Sequence, residues 1–285
     1  MDRIVDGQWV LFIGSGVAAT CENSSGARPP TWRGLLERLC ALISESAARN
    51  VGEVLIENRD LIPAADHIRY TLQTENNLHG YYGTIRAAVD GPSGDRYEPS
   101  PMYDVLLSLD PRIVFTTNYD RLFEAASSSG FATHPYDRPG LSDELRRGEP
   151  VLVKLHGSTD APTEMVLTRT DYTQVAEKGG EVFDNLRALG LTSTILFVGY
   201  SLDDPDIQLV LQAVGRSGLS PEAHFMLAPE PESAARIPVF RESYGVSVLP
   251  YAAPAGDHSE AFVALEELAG TVLAARARRT AQPNA

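Results

Sequence analysis

Val10-Leu11-Phe12-Ile13-Gly14-Ser15-Gly16-Val17 is a run of apolar residues that stops at a glycine-rich turn. Such a run, without polar alternation, predicts a strand buried on both faces, as in a parallel sheet. The same pattern returns at Ile113 to Phe115, Val151 to Leu155, Thr194 to Val198 and His224 to Leu227, with Val246 to Leu249 as a candidate sixth strand. Helical periodicity lies between them. Leu35, Leu36, Leu39, Leu42 and Ile43 follow a Thr31 N-cap. Further helical patterns run over Tyr119 to Ser127, Tyr172 to Leu189, Asp206 to Val214 and Ser259 to Arg276. Strands alternating with helices predict an α/β fold, a Rossmann-like and mainly parallel sheet with helices on both faces.

Residues 50–108 carry no strand pattern and read as several helices, including Asp66 to Thr74 and Tyr81 to Val89, before the Gly91-Pro92-Ser93-Gly94 turn. They are expected to form a helical insertion, a small helical subdomain within one α/β domain spanning 1–285. At about 150 residues per domain, 285 residues also allow two. With 43% hydrophobic residues the chain can bury a substantial core. No apolar run approaches the ~18–20 residues that cross a bilayer, so no membrane association is expected. Met1-Asp2-Arg3-Ile4-Val5-Asp6 lacks the basic start of a signal peptide. Cys21 and Cys40 have no metal-ligand spacing, which excludes a disulfide framework and a four-cysteine zinc site. A reducing, cytoplasmic location is expected.

In an open α/β sheet, ligands bind beyond the carboxyl ends of the strands. The first strand runs into Gly14-Ser15-Gly16, where bare backbone could approach a ligand and successive N–H groups could hold an anion. A tight turn with no ligand fits equally well. The third glycine of the common dinucleotide fingerprint is missing, and Glu37, at about the right distance for a ribose-binding acid, falls inside a predicted helix. The second strand ends in Thr116-Thr117-Asn118-Tyr119-Asp120. There Asn118 or Asp120 either caps the next helix or helps to hold a sugar and a water. The third ends in Lys154-Leu155-His156-Gly157-Ser158, which puts at the ligand edge a histidine able to take a proton near neutral pH. The fourth ends in Gly199-Tyr200-Ser201-Leu202-Asp203-Asp204-Pro205-Asp206, where Asp before Pro reads as an ordinary helix start and Gly199 allows close approach.

Taken in order, these strand ends resemble the sirtuin-like NAD⁺-consuming domains. Gly14-Ser15-Gly16 is similar to that family's phosphate loop. Thr116-Thr117-Asn118-Tyr119-Asp120 resembles its Thr-Gln-Asn-x-Asp motif, with Thr117 in place of Gln. His156-Gly157 resembles its catalytic His-Gly, and Gly199-Tyr200-Ser201 its Gly-x-Ser. Protein-deacylating sirtuins carry a zinc ribbon of four cysteines after the catalytic histidine, and no cysteine follows Cys40 here. The sequence looks closer to bacterial sirtuin-like domains of antiphage defence, which hydrolyse NAD⁺ to nicotinamide and ADP-ribose.

The resemblance implies NAD⁺ as substrate and no metal. It implies catalytic roles for Asn118 and His156, an orienting role for Asp120, and binding roles for Gly14, Ser15, Gly16, Thr116, Thr117, Gly199 and Ser201. By the same resemblance, control would come from self-assembly into a homo-oligomer or from a partner such as a HerA-type ring ATPase. Rival readings are an NAD⁺ or ADP-ribose sensor without turnover, a protein deacylase and a dehydrogenase. The missing cysteines and the incomplete fingerprint count against the last two. A net charge of −14 without basic stripes predicts no direct nucleic-acid binding. Any phosphate-bearing ligand must then be held by local groups rather than by the overall field.

Overall fold

The computed structural model describes residues 1–128, 130–202, 204–215, 224–254 and 257–281. Seven strands form one sheet: β1 (Trp9–Ile13), β2 (Ile113–Thr116), β3 (Ala132–Pro135), β4 (Val151–Lys154), β5 (Thr194–Val198), β6 (His224–Pro229) and β7 (Val246–Tyr251). Their order is β3-β4-β2-β1-β5-β6-β7. Every neighbouring pair is parallel. A parallel sheet is buried on both faces, and all five residues of β1 are buried.

Alternate residues of β1 feed different cores. Leu11 and Ile13 pack with Met102, Tyr103 and Leu106 of helix Pro101–Ser108 and with Leu265 and Val272 of helix Ser259–Ala281. Val10 and Phe12 pack on the other face with Val182 and Leu186 of helix Gly180–Thr192 and with Ile207 and Leu211 of helix Pro205–Gly215. Full burial of side chains of this size contributes roughly 1.5–3 kcal/mol each.

A third core is built mainly by helices, closed by Met165 and Leu167 from the loop before helix Arg169–Lys178. Leu36 and Leu39 of helix Trp32–Cys40 join Ile56, Ile68, Leu72, Tyr81 and Ile85 from helices Ser46–Glu57, Leu61–Thr74 and Leu78–Asp90. Thr31 caps the first of these, its hydroxyl accepting the Gly34 N–H at 3.3 Å. By packing, this helical block runs from about Trp32 to Asp90. Helix Pro101–Ser108, inside the stretch expected to form the insertion, packs instead on the sheet.

Several elements differ from the sequence expectation for local reasons. The helix expected from Tyr119 starts at Leu122, because the Asp120 carboxylate accepts the Leu122 N–H at 3.0 Å and turns the chain first. The single helix expected over Tyr172 to Leu189 is two, Arg169–Lys178 and Gly180–Thr192, broken at the poor helix formers Gly179 and Gly180. β3 is a short edge strand ending in a proline, which hid it. Helix Glu230–Tyr244 was hidden by the prolines at its start and at Pro238. Helix Leu141–Arg147, between two left-handed glycines, was also not anticipated.

His224 opens β6 fully buried, and its Nδ1 accepts the Ile195 N–H at 3.1 Å. Burial depresses its pKa to about 4. The unfolded chain therefore takes up this proton first as pH falls, so the stability present above about pH 6.5 is lost as pH drops toward 4. His224→Asn offers an acceptor oxygen that does not titrate. Urea unfolding should show wild type losing up to about 3 kcal/mol relative to this variant between pH 7 and pH 4. A constant difference would mean that His224 does not titrate with folding.

Candidate active site

Strand register decides which residues meet. Ile13 of β1 aligns with Thr116 of β2 and with Val198 of β5, and Thr116 aligns with Lys154 of β4. The residues that follow, Gly14, Thr117-Asn118, Leu155-His156 and Gly199, therefore emerge along one edge of the sheet. The chain leaves β1 for β2 on one side and later returns to β5 on the other, and the crevice at such a switch point is where open α/β sheets bind ligands.

A cleft opens there with about 970 Å³ of empty space, its mouth included. Ser15, Thr117, Asn118, Asp120, His156, Gly199 and Ser201 line it, under a roof of Trp32, Leu35 and Ile62 from the helical block. An adjoining chamber shares Ser15, Gly199, Tyr200 and Ser201 with it and extends past Gly16 to Pro229 and Tyr251. Gly14 and Thr116 line neither space. The Thr116 hydroxyl donates to the Ile13 carbonyl at 3.0 Å and accepts the Asn118 N–H at 3.0 Å. The Asn118 side-chain Nδ2 donates to the Gly14 carbonyl at 3.0 Å. The amide of Asn118 is thus pinned across β1 and β2.

The glycines serve a purpose that sequence did not disclose. Gly14 N–H donates to Val198 O at 3.0 Å, Gly16 N–H to Gly199 O at 2.9 Å and Val17 N–H to Gly14 O at 3.1 Å. These donors are engaged within the protein rather than turned toward an anion. A Cβ on Gly14 would lie 2.4 Å from Gly199 O, and one on Gly199 2.4 Å from Val17 N, with φ at +62° besides. The glycines let two strand ends press backbone to backbone.

His156 is buried at the start of the Gly157 turn, where φ is +78° and a Cβ would lie 2.7 Å from Glu164 O. Its Nε2 lies 3.1 Å from Asp204 Oδ2, short but poorly aligned for a hydrogen bond. The Tyr172 ring meets the imidazole edge to face at 5.4 Å, and its hydroxyl donates to Asp204 Oδ2 at 3.0 Å. Burial alone would raise the Asp204 carboxyl, but attraction to His156 in its protonated form and the hydrogen bonds the carboxylate receives hold it below the ordinary value. Asp203 lies outside the described residues.

Asp120 stands apart from that group. One carboxylate oxygen caps the turn at Leu122, and the buried Lys154 ammonium donates to its backbone carbonyl and pairs with Glu124 at 3.2 Å. Burial pushes the Asp120 carboxyl up to about 6, against the pull of Lys154. Lys154, Tyr172 and Asp204 were not singled out from sequence. Asp204 carried the signal, but its place before Pro205 already had a sufficient reason. Glu37 sits on helix Trp32–Cys40 paired with Arg33 at 2.9 Å, so it does not serve as the ribose acid of a dehydrogenase. Among the described residues no three His, Cys, Asp or Glu side chains cluster to hold a metal.

Fold and site together define a doubly wound α/β domain with a switch-point cleft, whose polar floor is an asparagine and a histidine from neighbouring strand ends. Residues 112–249 match the family model described as SIR2-like domain. It is similar to the NAD(+) hydrolase ThsA of Bacillus cereus (strain MSX-D12), 25% identical over 214 residues, covering 74% of this chain and 41% of that protein. The NAD(+) hydrolase ThsA of Acinetobacter baumannii (strain 532279) is 24% identical over 220 residues, 75% of this chain and 41% of the relative. Defense-associated sirtuin 2 of Bacillus subtilis is 25% identical over 215 residues, 73% of this chain and 19% of that protein. The chain thus spans about two fifths or less of the length of these relatives.

The glycine clasp makes a direct prediction. Gly199→Ala should cost at least about 2 kcal/mol, from left-handed strain and the backbone clash together. A urea midpoint equal to that of wild type would show that the two strand ends are not in close contact.

Proposed function

We propose that the cleft binds NAD⁺ and that the chain hydrolyses its nicotinamide–ribose bond, giving nicotinamide and ADP-ribose. One observation carries the reading: register brings Asn118 and His156 into a single cleft at the switch point, next to a second chamber that shares Ser15, Gly199 and Ser201 with it. The ThsA relatives, which bear the name NAD(+) hydrolase, support it.

The bond breaks through an oxocarbenium-like transition state, and the leaving group is a pyridinium that becomes neutral as it departs, so no strong acid is required. A water attacks the anomeric carbon on the face opposite nicotinamide while the C–N bonding pair goes to the ring. His156 takes the water's proton. Asn118, its nitrogen tied to Gly14, presents its oxygen to a ribose hydroxyl and to that water. Asp120 orients the turn that carries Asn118. With the Gly14 and Gly16 N–H groups engaged, the pyrophosphate falls to the hydroxyls of Ser15 and Ser201, beside Gly16, Thr117 and Gly199, while Gly14 and Thr116 brace Asn118 from behind. Trp32, Leu35 and Ile62 exclude bulk water, with the helical block as a subdomain that roofs the site.

Unrestrained NAD⁺ hydrolysis would kill its host, so the activity is gated. We read the chain as the effector of an antiphage defence system in the cytoplasm. Self-assembly or a partner such as a HerA-type ring ATPase completes the active state. The name of the Bacillus subtilis relative supports the defence setting.

Incubation with NAD⁺, with and without candidate partners, followed by mass identification of products, tests the activity. His156→Ala should lower kcat by roughly 10²–10⁴-fold. Asn118→Ala should abolish nicotinamide release under the same conditions. Normal turnover in both variants would sink the assignment.

A further inference from the structure

Asp204 uses its two oxygens for different purposes. Oδ1 accepts the N–H groups of Asp206 at 3.0 Å and Ile207 at 3.2 Å, the start of helix Pro205–Gly215. That is an ordinary cap, and one oxygen suffices for it. Oδ2 is committed elsewhere, to His156 from the β4 end and to Tyr172 from helix Arg169–Lys178. Tyr172 is itself fixed from behind. Its helix opens with a reciprocal Thr168–Asp171 cap, and Asp171 pairs at 2.7 Å with Arg69 of the helical block. A carboxylate, a phenol and an imidazole from three separate elements therefore converge in a buried corner of the cleft.

We infer that Asp204, held by Tyr172, is the positioning residue for His156, fixing its Nε2–H toward the carboxylate so that Nδ1 takes the proton of the attacking water. This rests on the reading of His156 as the base. When water gives its proton to Nδ1, the imidazole becomes a cation carrying N–H on both nitrogens. The electron pair left on oxygen forms the new bond to the anomeric carbon. Asp204 stays ionised and offsets the new positive charge; it does not take the proton. A modest ring rotation aligns Nε2–H with Oδ2, as catalytic hydrogen bonds often do only when substrate is bound.

Among the described residues, the groups facing His156 are few. Asp204 and Asp206 come from the start of helix Pro205–Gly215, Tyr172 from its own helix, and Tyr119 and Asp120 share the cleft from the β2 end. Burial and then the neighbouring Asp204 push Asp206 up to about 6, and its Oδ2 is buried without a hydrogen-bond partner. Asp204 is held low, and it alone among these acids lies within ion-pair distance of His156.

Asp204→Asn and Asp204→Ser both keep a capping oxygen, and Tyr172→Phe leaves the cap untouched. The test is the pH profile of NAD⁺ hydrolysis for each folded variant, together with the ¹⁵N NMR titration of the His156 ring in the absence of NAD⁺. In Asp204→Asn we expect kcat to fall roughly 100-fold, with KM changed less than about threefold. The acid limb and the ring titration should both move to lower pH, because the imidazolium has lost its counter-charge. Tyr172→Phe should lower kcat by about tenfold, through loosened aim alone. Wild-type kcat with an unmoved ring titration in these variants would reduce Asp204 to a helix cap and overturn the inference. If wild-type protein cleaves no NAD⁺ under any condition, the ring titration decides by itself. A shift would keep the pair and overturn the hydrolysis reading, and no shift would overturn the pair as well.

Discussion

The contact on which the rest of the structure depends has no side chains in it. Gly16 at the end of β1 donates its N–H to Gly199 at the end of β5, and the missing side chains of Gly14, Gly16 and Gly199 are the space the two backbones share. A methyl group at any of the three would meet main-chain atoms at 2.4–2.8 Å. Because β1 and β5 straddle the switch point, this contact fixes the floor from which both chambers open. It also takes up backbone donors that might otherwise hold a phosphate.

Around that floor the polar groups form two separate systems. One is Lys154 with Glu124 and the backbone of Asp120, a buried ammonium paired so that it is not left uncompensated. It fixes the turn after β2 and, with it, Asn118. The other is His156 with Asp204 and Tyr172, assembled from a strand end and two helices. The helical block roofs the cleft that the second system lines, and its own core of Leu36, Ile68 and Tyr81 is distinct from the sheet cores. The Arg69–Asp171 pair joins that block to the helix carrying Tyr172, so movement of the roof would be felt at the histidine.

Much of the fold is legible because it obeys single-period rules. Val10 to Ile13, Val151 to Val153 and Thr194 to Val198 are continuous apolar runs, and a strand buried on both faces leaves that trace. The elements that escaped notice are those whose local signals conflict: β3 at a sheet edge with its proline, and a helix containing Pro238. The places of Asn118 and His156 at the sheet edge were legible because each stands two residues beyond the end of an apolar strand. Tyr172 was not, because a tyrosine on a helix looks the same whether it faces a core or a carboxylate.

Which residues stand beyond the ends of strands is thus the part that sequence determines by itself. Strand direction is set by local pattern, and in a parallel sheet every carboxyl end comes to the same edge, so Asn118 and His156 share an edge before any coordinates are known. Tertiary structure alone decided what stands behind them. Asp204 reads locally as a complete helix cap, and Gly14 and Gly16 read as an open turn. Their second partners, His156, Tyr172 and Gly199, lie from about 30 to 185 residues away along the chain. Hydrogen bonds and close packing depend on distance in space, and no local pattern encodes which remote atoms will fill that distance.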